Sequence, residues 1–475
     1  MSETSWLVTF CAVALLAGCA SPDGITSESV PVDATRLTVD ETTKGVAKDA
    51  PWPGQDWWTG LQDDQLNRLI EEGMQNSPTL KVARARIRKA AAVAGLARSR
   101  LYPQIDGSMS ATDGRFTRNG LYPYPLGGRT RSSDEAELSG SFDPDIWGGH
   151  EEAFRAALGG LRASEVDAQA ARLELSAAIA RTYVDLAAAY DQEDIDRDLQ
   201  RQKTEIQALS ARLTGAGLVS EIENRQAEAA IAATEAEMAT REERIALLKQ
   251  DLAVLVGASP DRGTEISRPA LHLASPLGLP PDLPADLIGR RPDIVAQRWR
   301  IEAAGHTVAA ARADFYPNVN LKALVGLQSI GIDRFMLGSS GIYGAGAAIT
   351  LPIFDAGRLR SNLAQESARL DVEIGQYNAA VLAALREVVG QLTSWQANQT
   401  SMEREHLAVG RLDDAYRLAV LRYREGLTNY LTVLSAEGEL INQRRKEADS
   451  KNRQYTLTIA LNQALGGGFV PRPLP

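Results

Sequence analysis

Cysteine is nearly absent from this chain of 475 residues: Cys11 and Cys19 are the only two. Both stand in the first twenty positions, so no disulfide framework holds the body together. Aromatic residues are also scarce, at 6%. With alanine abundant, that scarcity disfavours a bulky globular interior and favours long helices packed through small side chains. Positive charge is short as well: 51 Lys and Arg stand against 61 Asp and Glu, with no Lys/Arg block. A nucleic-acid partner is therefore not expected, because phosphate binding needs a concentrated cationic surface. Histidine is limited to His150, His272, His306 and His406, scattered along the chain. No Ser/His/Asp grouping, P-loop or metal-ligand cluster accompanies them, so the expectation is a protein that is not an enzyme and takes no cofactor or metal.

What is present begins at the N-terminus. The stretch "MSETSWLVTFCAVALLAGCASPDG" has an apolar segment from Trp6 to Ala17 and then Leu16-Ala17-Gly18-Cys19. The apolar segment is too short to span a bilayer, and small residues before a cysteine suit lipoprotein processing with acylation at Cys19. The n-region is atypical in carrying Glu3 and neither Lys nor Arg. Ala20 and Ser21 follow the cysteine, a pattern that in similar bacterial lipoproteins goes with sorting to the outer membrane.

The body is a duplication. A shift of 214 residues lays Pro78, Arg84, Arg86, Ile87, Ala90, Ala97, Arg98, Tyr102 and Pro103 on Pro292, Arg298, Arg300, Ile301, Ala304, Ala311, Arg312, Tyr316 and Pro317. "SFDPDIWGGH" (141–150) matches "ITLPIFDAGR" (349–358) at an offset of 208, and "GLVSEIENRQAE" (217–228) matches "GLTNYLTVLSAE" (426–437) at 209. The expected organisation is a signal peptide at 1–18, a lipidated linker at 19–60 and a first repeat at 61–256. A Pro-rich linker at 257–291, a second repeat at 292–468 and a tail at 469–475 complete it.

Each repeat has one order of patterns. A helix (63–100 or 292–314) ends at Tyr-Pro, because proline disfavours helix at the residue before it. Two alternating stretches follow. Val319, Leu321, Ala323, Val325 and Leu327 alternate with mostly polar or small residues, as do Tyr343, Ala345, Ala347, Ile349 and Leu351, which predicts strands with one apolar face. The first-half equivalents are 104–114 and 135–146. Two long helical stretches close each repeat, 150–212 with 221–256 and 358–424 with 430–465. Ile231, Thr234, Met238, Arg241, Ile245, Leu248, Leu252 and Leu255 step by 3 and 4, as do Ile195, Leu199, Gln202, Ile206, Leu209 and Leu213; both sets predict coiled-coil seams.

The fold class expected is mainly α with a small transmembrane β portion. Hydrocarbon tolerates only helices or closed barrels, and four strands cannot close. Three copies under cyclic symmetry would supply twelve. The competing reading, a transmembrane helix in "FMLGSSGIYGAGAAITLPIF" (335–354), fails on four glycines, Pro352 and the period-2 pattern.

Eight short segments in order carry a family resemblance: "WW" (57–58) with "DDQLNRLI" (63–70) and "NSPTL" (76–80), "FDPDIWGG" (142–149), "GRRPDI" (289–294), "ARADFYPNVNL" (311–321), "LRYREGLTNYLTVLSAE" (421–437) and "ALGGG" (464–468). The chain resembles the outer-membrane factor family, the TolC-like ducts of efflux and secretion systems. Within it, the lipoprotein (NodT-like) branch serving resistance-nodulation-division pumps is most similar. The resemblance implies a homotrimer with a twelve-stranded barrel in outer-membrane lipid, continued by a periplasmic α-barrel. It also implies an adaptor protein and an inner-membrane proton-driven pump as partners.

Two glycine-bearing turns, "TGAGLVSE" (214–221) and "REGLTNY" (424–430), reverse the chain between paired rods. The alternative reading is an ordinary αα-hairpin loop. The resemblance makes them tips that meet the adaptor through an Arg-x-x-x-Gly-Leu-x-Ser/Thr pattern. Arg422, Gly426 and Leu427 match it, with Asn429 in the hydroxyl position; Gly217, Leu218 and Ser220 match in the first half, where Leu213 replaces the arginine. An aspartate that rings the duct entrance in many such proteins is absent here. Ser435 occupies its position and Thr432 a neighbouring one, while Glu221 and Glu223 sit near the same level as substitutes or as ordinary charges at a helix start. The expected function is a passive trimeric efflux duct. The alternatives are the outer-membrane duct of an ABC-type secretion system and a non-conducting coiled-coil lipoprotein.

Overall fold

The computed structural model describes residues 21–33, 36–39, 44, 50–273, 280 and 283–470. The signal peptide and Cys19 lie outside the described residues. Helices α1 (Asp64–Asn76) and α2 (Pro78–Ser99) lead into strands β1 (Gln104–Arg115) and β2 (Thr130–Phe142). Helices α3 (Gly149–Gly215) and α4 (Glu221–Leu255) follow, and a short α5 (Leu283–Arg290) opens the second half. There α6 (Pro292–Ala313), β3 (Asn318–Ile330), β4 (Gly341–Thr350), α7 (Arg358–Arg424) and α8 (Tyr430–Ala464) repeat the pattern. At about 1.5 Å per residue, a helix of 67 residues such as α3 or α7 is a rod of about 100 Å.

Two expectations needed adjustment. The single helix expected over 63–100 is broken at Ser77, whose ψ of 128° lies outside the helical region because Pro78 follows it. The second strand starts and ends earlier than 135–146: Pro144 lacks an N–H, and Asp145 adopts φ 49°.

The chain divides into two compact units. One comprises the described residues up to Pro31 with Arg86–Ser164 and Gln297–Tyr377. Its sheet is antiparallel throughout, in the order β1-β2-β3-β4. Over most of its length the register separates apolar from charged residues, while Asp113, Arg115 and Asp134 near the β1–β2 turn share the apolar parity. Leu138 lies between Gly107 and Val325, and Val325 lies beside Tyr343, while Phe142 pairs with Leu321 and Val319 with Ile349. Ile105 and Met109 fall on that same apolar face, because side chains alternate with period two. The opposite face carries Asp106, Ser108, Glu135, Glu137, Asn320 and Lys322. Ile105, Met109, Val325, Tyr343 and Ile349 are more than half exposed, so the apolar face lacks cover among the described residues.

The two Tyr-Pro junctions end their helices alike: the amides of Tyr102 and Tyr316 bond the carbonyls of Ser99 and Ala313. Trp147 stacks on Tyr316 with ring centroids 4.6 Å apart and donates its Nε1 hydrogen to the Pro317 carbonyl at 2.8 Å. Such amphipathic rings suit a membrane–water interface. Below them, Asp145 accepts from the amides of His150 and Glu151, and Asp355 accepts from Leu359 at 2.8 Å, satisfying the orphan donors of α3 and α7.

The other unit comprises Val32–Ala85, Glu165–Ala296 and Asn378–Pro475. Its main core gathers Leu66, Leu69 and Ile70 of α1, Ile179, Tyr183 and Leu186 of α3, and Leu248 and Leu252 of α4. Each fully buried leucine contributes about 2 kcal/mol of transfer free energy. Thr234, Ile245, Leu248 and Leu252 of the predicted α4 seam are buried while their neighbours Glu243, Leu247 and Val254 are exposed. Asp63 caps α1 and accepts from the Tyr183 hydroxyl at 2.9 Å and the Ala270 amide at 2.7 Å. Residues 257–273, read from sequence as the start of a linker, are therefore docked. So are Trp57 and Leu61 in the core, which begins a few residues before position 61.

Two sequence motifs have local explanations. In "GRRPDI", Arg291 binds Asp293, Glu387 and the Ala464 carbonyl, tying three segments together. In "ALGGG", a Cβ at Gly466 would run into the Arg290 carbonyl and one at Gly468 into Gly54, so only glycine fits.

Candidate functional site at the helical tips

Both turns singled out in the sequence are built the same way. At the end of α7 the amide of Leu427 bonds the Arg422 carbonyl at 2.8 Å and that of Gly426 bonds Tyr423 at 3.0 Å. At the end of α3, Leu218 bonds Leu213 and Gly217 bonds Thr214, both at 2.9 Å. This is the Schellman arrangement, which needs a left-handed residue at its turn. Gly426 and Gly217 supply it with φ of 69° and 73°. No atom lies within 4 Å of a Cβ built at either glycine, so a side chain there would project into open space.

The residue after each glycine is an exposed leucine, Leu218 at 72% and Leu427 at 67%. Ile222 and Leu431, the second residues of the next helices, are also exposed. Each tip therefore presents an apolar pair beside Arg212 or Arg422, both exposed. Asn429 and Ser220 are the N-caps of α8 and α4. Asn429 accepts from the Thr432 amide at 3.2 Å, whereas the Ser220 side chain makes no cap bond. Asparagine thus does what the expected hydroxyl residue would do at this position, since both are strong N-caps.

The candidate gate residues divide. Thr432 also bonds Asn429 and Thr428 through its hydroxyl, and Ser435 is exposed. Glu221 pairs with Arg225 at 3.1 Å on the surface. Glu223 accepts from the Tyr423 hydroxyl at 3.2 Å, which ties α4 to α7.

Sequence reasoning missed what supports the tips. Tyr416, Tyr423 and Tyr430 are buried with Ile206, Ala227, Val433 and Leu440 in a distal core. Tyr416 and Tyr423 stand seven residues apart on α7, a spacing that could have announced a seam, while Tyr430 joins them from the start of α8. Glu437 is buried beside them; burial pushes its carboxyl up to about 7, opposed by Lys203. Burial likewise raises the Tyr430 hydroxyl to about 12. Among the described residues no group of three or more His, Cys, Asp or Glu could hold a metal ion. His150, His306 and His406 instead pair with Asp143, Glu152 and Glu447. Among the same residues, no helix is long and apolar enough to cross a membrane.

The family model for outer membrane efflux proteins matches residues 69–258 and 283–467. The chain belongs to that family. Both halves of the duplication are matched, and the break falls in the Pro-rich segment. The chain is 36% identical over 359 residues to the fusaric acid resistance protein FusA of Burkholderia cepacia, covering 74% of this chain and 67% of that one. It is 31% identical over 436 residues to the multidrug resistance outer membrane protein MdtP of Shigella flexneri, covering 89% and 88%. Among solved structures, the outer membrane protein VceC of Vibrio cholerae superposes with a TM-score of 0.83 at 36% identity, covering 88% of this chain and all of that one. The outer membrane efflux proteins are channels with a β-barrel and a helical periplasmic portion, and this chain is an outer-membrane efflux channel of that kind.

Proposed function

We propose that three copies of this chain close their four-stranded sheets into one barrel and form a passive exit duct for drugs or other small molecules. The observation that carries this reading is the sheet register. Away from the β1–β2 turn it gathers most apolar residues on one face and Asp106, Glu135, Glu137 and Lys322 on the other, and it leaves β1 and β4 as edges of the sheet. An unpaired edge is intolerable in hydrocarbon, and a second and third copy remove it. The apolar face then meets lipid and the face with Glu137 and Lys322 lines water. The duct performs no chemistry; a proton-driven inner-membrane pump supplies the energy.

The tips are the docking surface for the periplasmic adaptor, through Gly217, Leu218, Ser220, Arg422, Gly426, Leu427 and Asn429. An exposed leucine on a rigid turn is a low-entropy anchor for a partner's apolar pocket. Opening the entrance separates α4 from α7 and breaks the bond from Tyr423 to Glu223. Glu221 and Glu223 supply negative charge where Ser435 and Thr432 do not. Acylated Cys19 holds the chain to the membrane.

The test is reconstitution with a deletion strain in parallel. Expected are trimers that conduct in planar bilayers and restore drug resistance only with adaptor and pump. Trimers that never conduct would favour the structural coiled-coil lipoprotein. A duct that supports protein secretion and no drug resistance would favour the ABC-type system.

A further inference from the structure

The segment after Cys19 was expected to be a linker, yet it is held against α7. Ser27 donates its hydroxyl to Oδ1 of Asp371 at 2.6 Å, and the amides of Glu28 and Ser29 donate to the same oxygen at 3.0 and 2.8 Å. Nearer the start of α7, Arg360 donates to the carbonyls of Ser21 and Asp23. Between these clasps Ile25 packs on Val308, Phe315, Leu359 and Leu363. Ile25, Ser27 and Ser29 are partly covered while Thr26, Glu28 and Val30 are exposed, the alternation of an extended strap.

The duplication offers an internal control. At the offset of 208, the first-half counterparts of Arg360 and Asp371 are Glu152 and Ala163, and those of Leu359 and Leu363 are Glu151 and Arg155. That half has neither the carboxylate nor the apolar groove. The chain has one N-terminus, and only one of its two equivalent helices is built to receive it. The hydrogen bonds from Ser27 and the strap amides hold the Asp371 carboxyl below the usual carboxylate range, as an anionic acceptor should be.

We propose that Asp371 is the receptor for the chain's own N-terminal strap and fixes the level at which the acylated terminus meets the membrane. The strap runs parallel to α7, so its amino end is the end nearest the strands. Ser21 is held at Arg360, ten residues after Thr350 closes β4. Cys19 lies two residues further, a reach of about 7 Å at most. Its acyl chains then enter beside the Trp147 and Tyr316 rings instead of anywhere a free linker would allow. The positioning role rests on the reading of Cys19 as the lipidation site; the clasp itself does not.

Hydrogen exchange on the full-length trimer tests the clasp. The amides of Glu28 and Ser29 should be protected, should exchange at least tenfold faster in Asp371→Ala, and should keep much of their protection in Asp371→Asn, which retains an acceptor oxygen. Free exchange of both amides in the unaltered protein overturns the clasp. Positioning is tested in cells by the amount of channel inserted, with and without Cys19→Ser behind a cleavable signal peptide. Asp371→Ala should lower insertion several-fold in the acylated chain and leave the unacylated chain unchanged. Equal losses in both overturn the positioning role. Failure to incorporate labelled palmitate overturns the Cys19 reading, while the amide protection is decided separately.

Discussion

The two tips share a backbone and differ in chemistry. Gly217 and Gly426 hold the same left-handed turn with φ within a few degrees, and each is followed by an exposed leucine. Around that common turn the second tip has Arg422, a capping Asn429 and Tyr423 in a buried core; the first has Leu213, a Ser220 that caps nothing and the acidic pair Glu221 and Glu223. Duplication has kept the part set by backbone geometry and let the side chains diverge. Changes at the glycines should therefore matter at both tips, whereas changes at the surrounding side chains should matter at one.

The largest effect is expected from Gly426→Trp. The side chain meets open space in the chain itself but occupies the surface assigned to the adaptor, and the left-handed backbone adds a strain of about 1–2 kcal/mol. Drug resistance should fall to the level of a deletion strain while native electrophoresis still shows trimers; loss of trimers, or unchanged resistance, counts against docking. Gly217→Trp should act in the same direction and less, since that tip has Leu213 where the second has Arg422, its own arginine standing one residue earlier at Arg212. Next is Tyr423→Phe, which removes the bond to Glu223 at a cost of about 1–2 kcal/mol. It should raise the open fraction in bilayer recordings, and an unchanged open fraction would mean that the tie does not hold the entrance.

The capping difference gives a sharper contrast. Asn429→Ala should destabilise the second tip by about 1 kcal/mol, whereas Ser220→Ala should be close to neutral because no cap bond is lost. Local hydrogen exchange at the starts of α8 and α4 measures both. A pH effect should also arise in the distal core that both helix pairs share. Glu437 goes from the ordinary 4.5 to about 7 in the folded chain, so the folded state holds its proton more tightly than the unfolded state. Its contribution to stability is full below about pH 4.5, falls as the pH rises towards 7 and is constant above. Thermal unfolding of Glu437→Gln should lose that slope. The smallest effect is expected at the first tip: replacing Glu221 and Glu223 by glutamine should weaken cation selectivity, and unchanged selectivity would remove them from the gate.

Much of this was legible in the chain because it follows from periodicity and punctuation. The alternation from Val319 to Leu327 reports a two-faced strand, the 3,4 stepping of Ile231 to Leu255 reports the stripe that buries Thr234, Ile245, Leu248 and Leu252, and Tyr-Pro marks where helix must stop. The tip glycines were legible because a Schellman turn demands one. The strap on Asp371, the tie from Tyr423 to Glu223 and the burial of Glu437 were not. Each joins residues far apart in sequence, 344 positions in the case of Ser27 and Asp371, and a polar residue on a helix reads as solvated until its partner is placed. Asn429 reads in the sequence only as the residue in the hydroxyl position; its cap bond to Thr432 follows from its place at a helix start, where the amide serves as well.

On the proposed reading, the two-faced sheet of one chain becomes a closed, water-filled barrel only when three chains combine. Single-channel recording of the purified protein, with the oligomer counted on the same preparation, tests it most directly. The account predicts uniform conductance steps from particles of three chains and none from monomers. Conductance from monomers, or silent trimers, would contradict it.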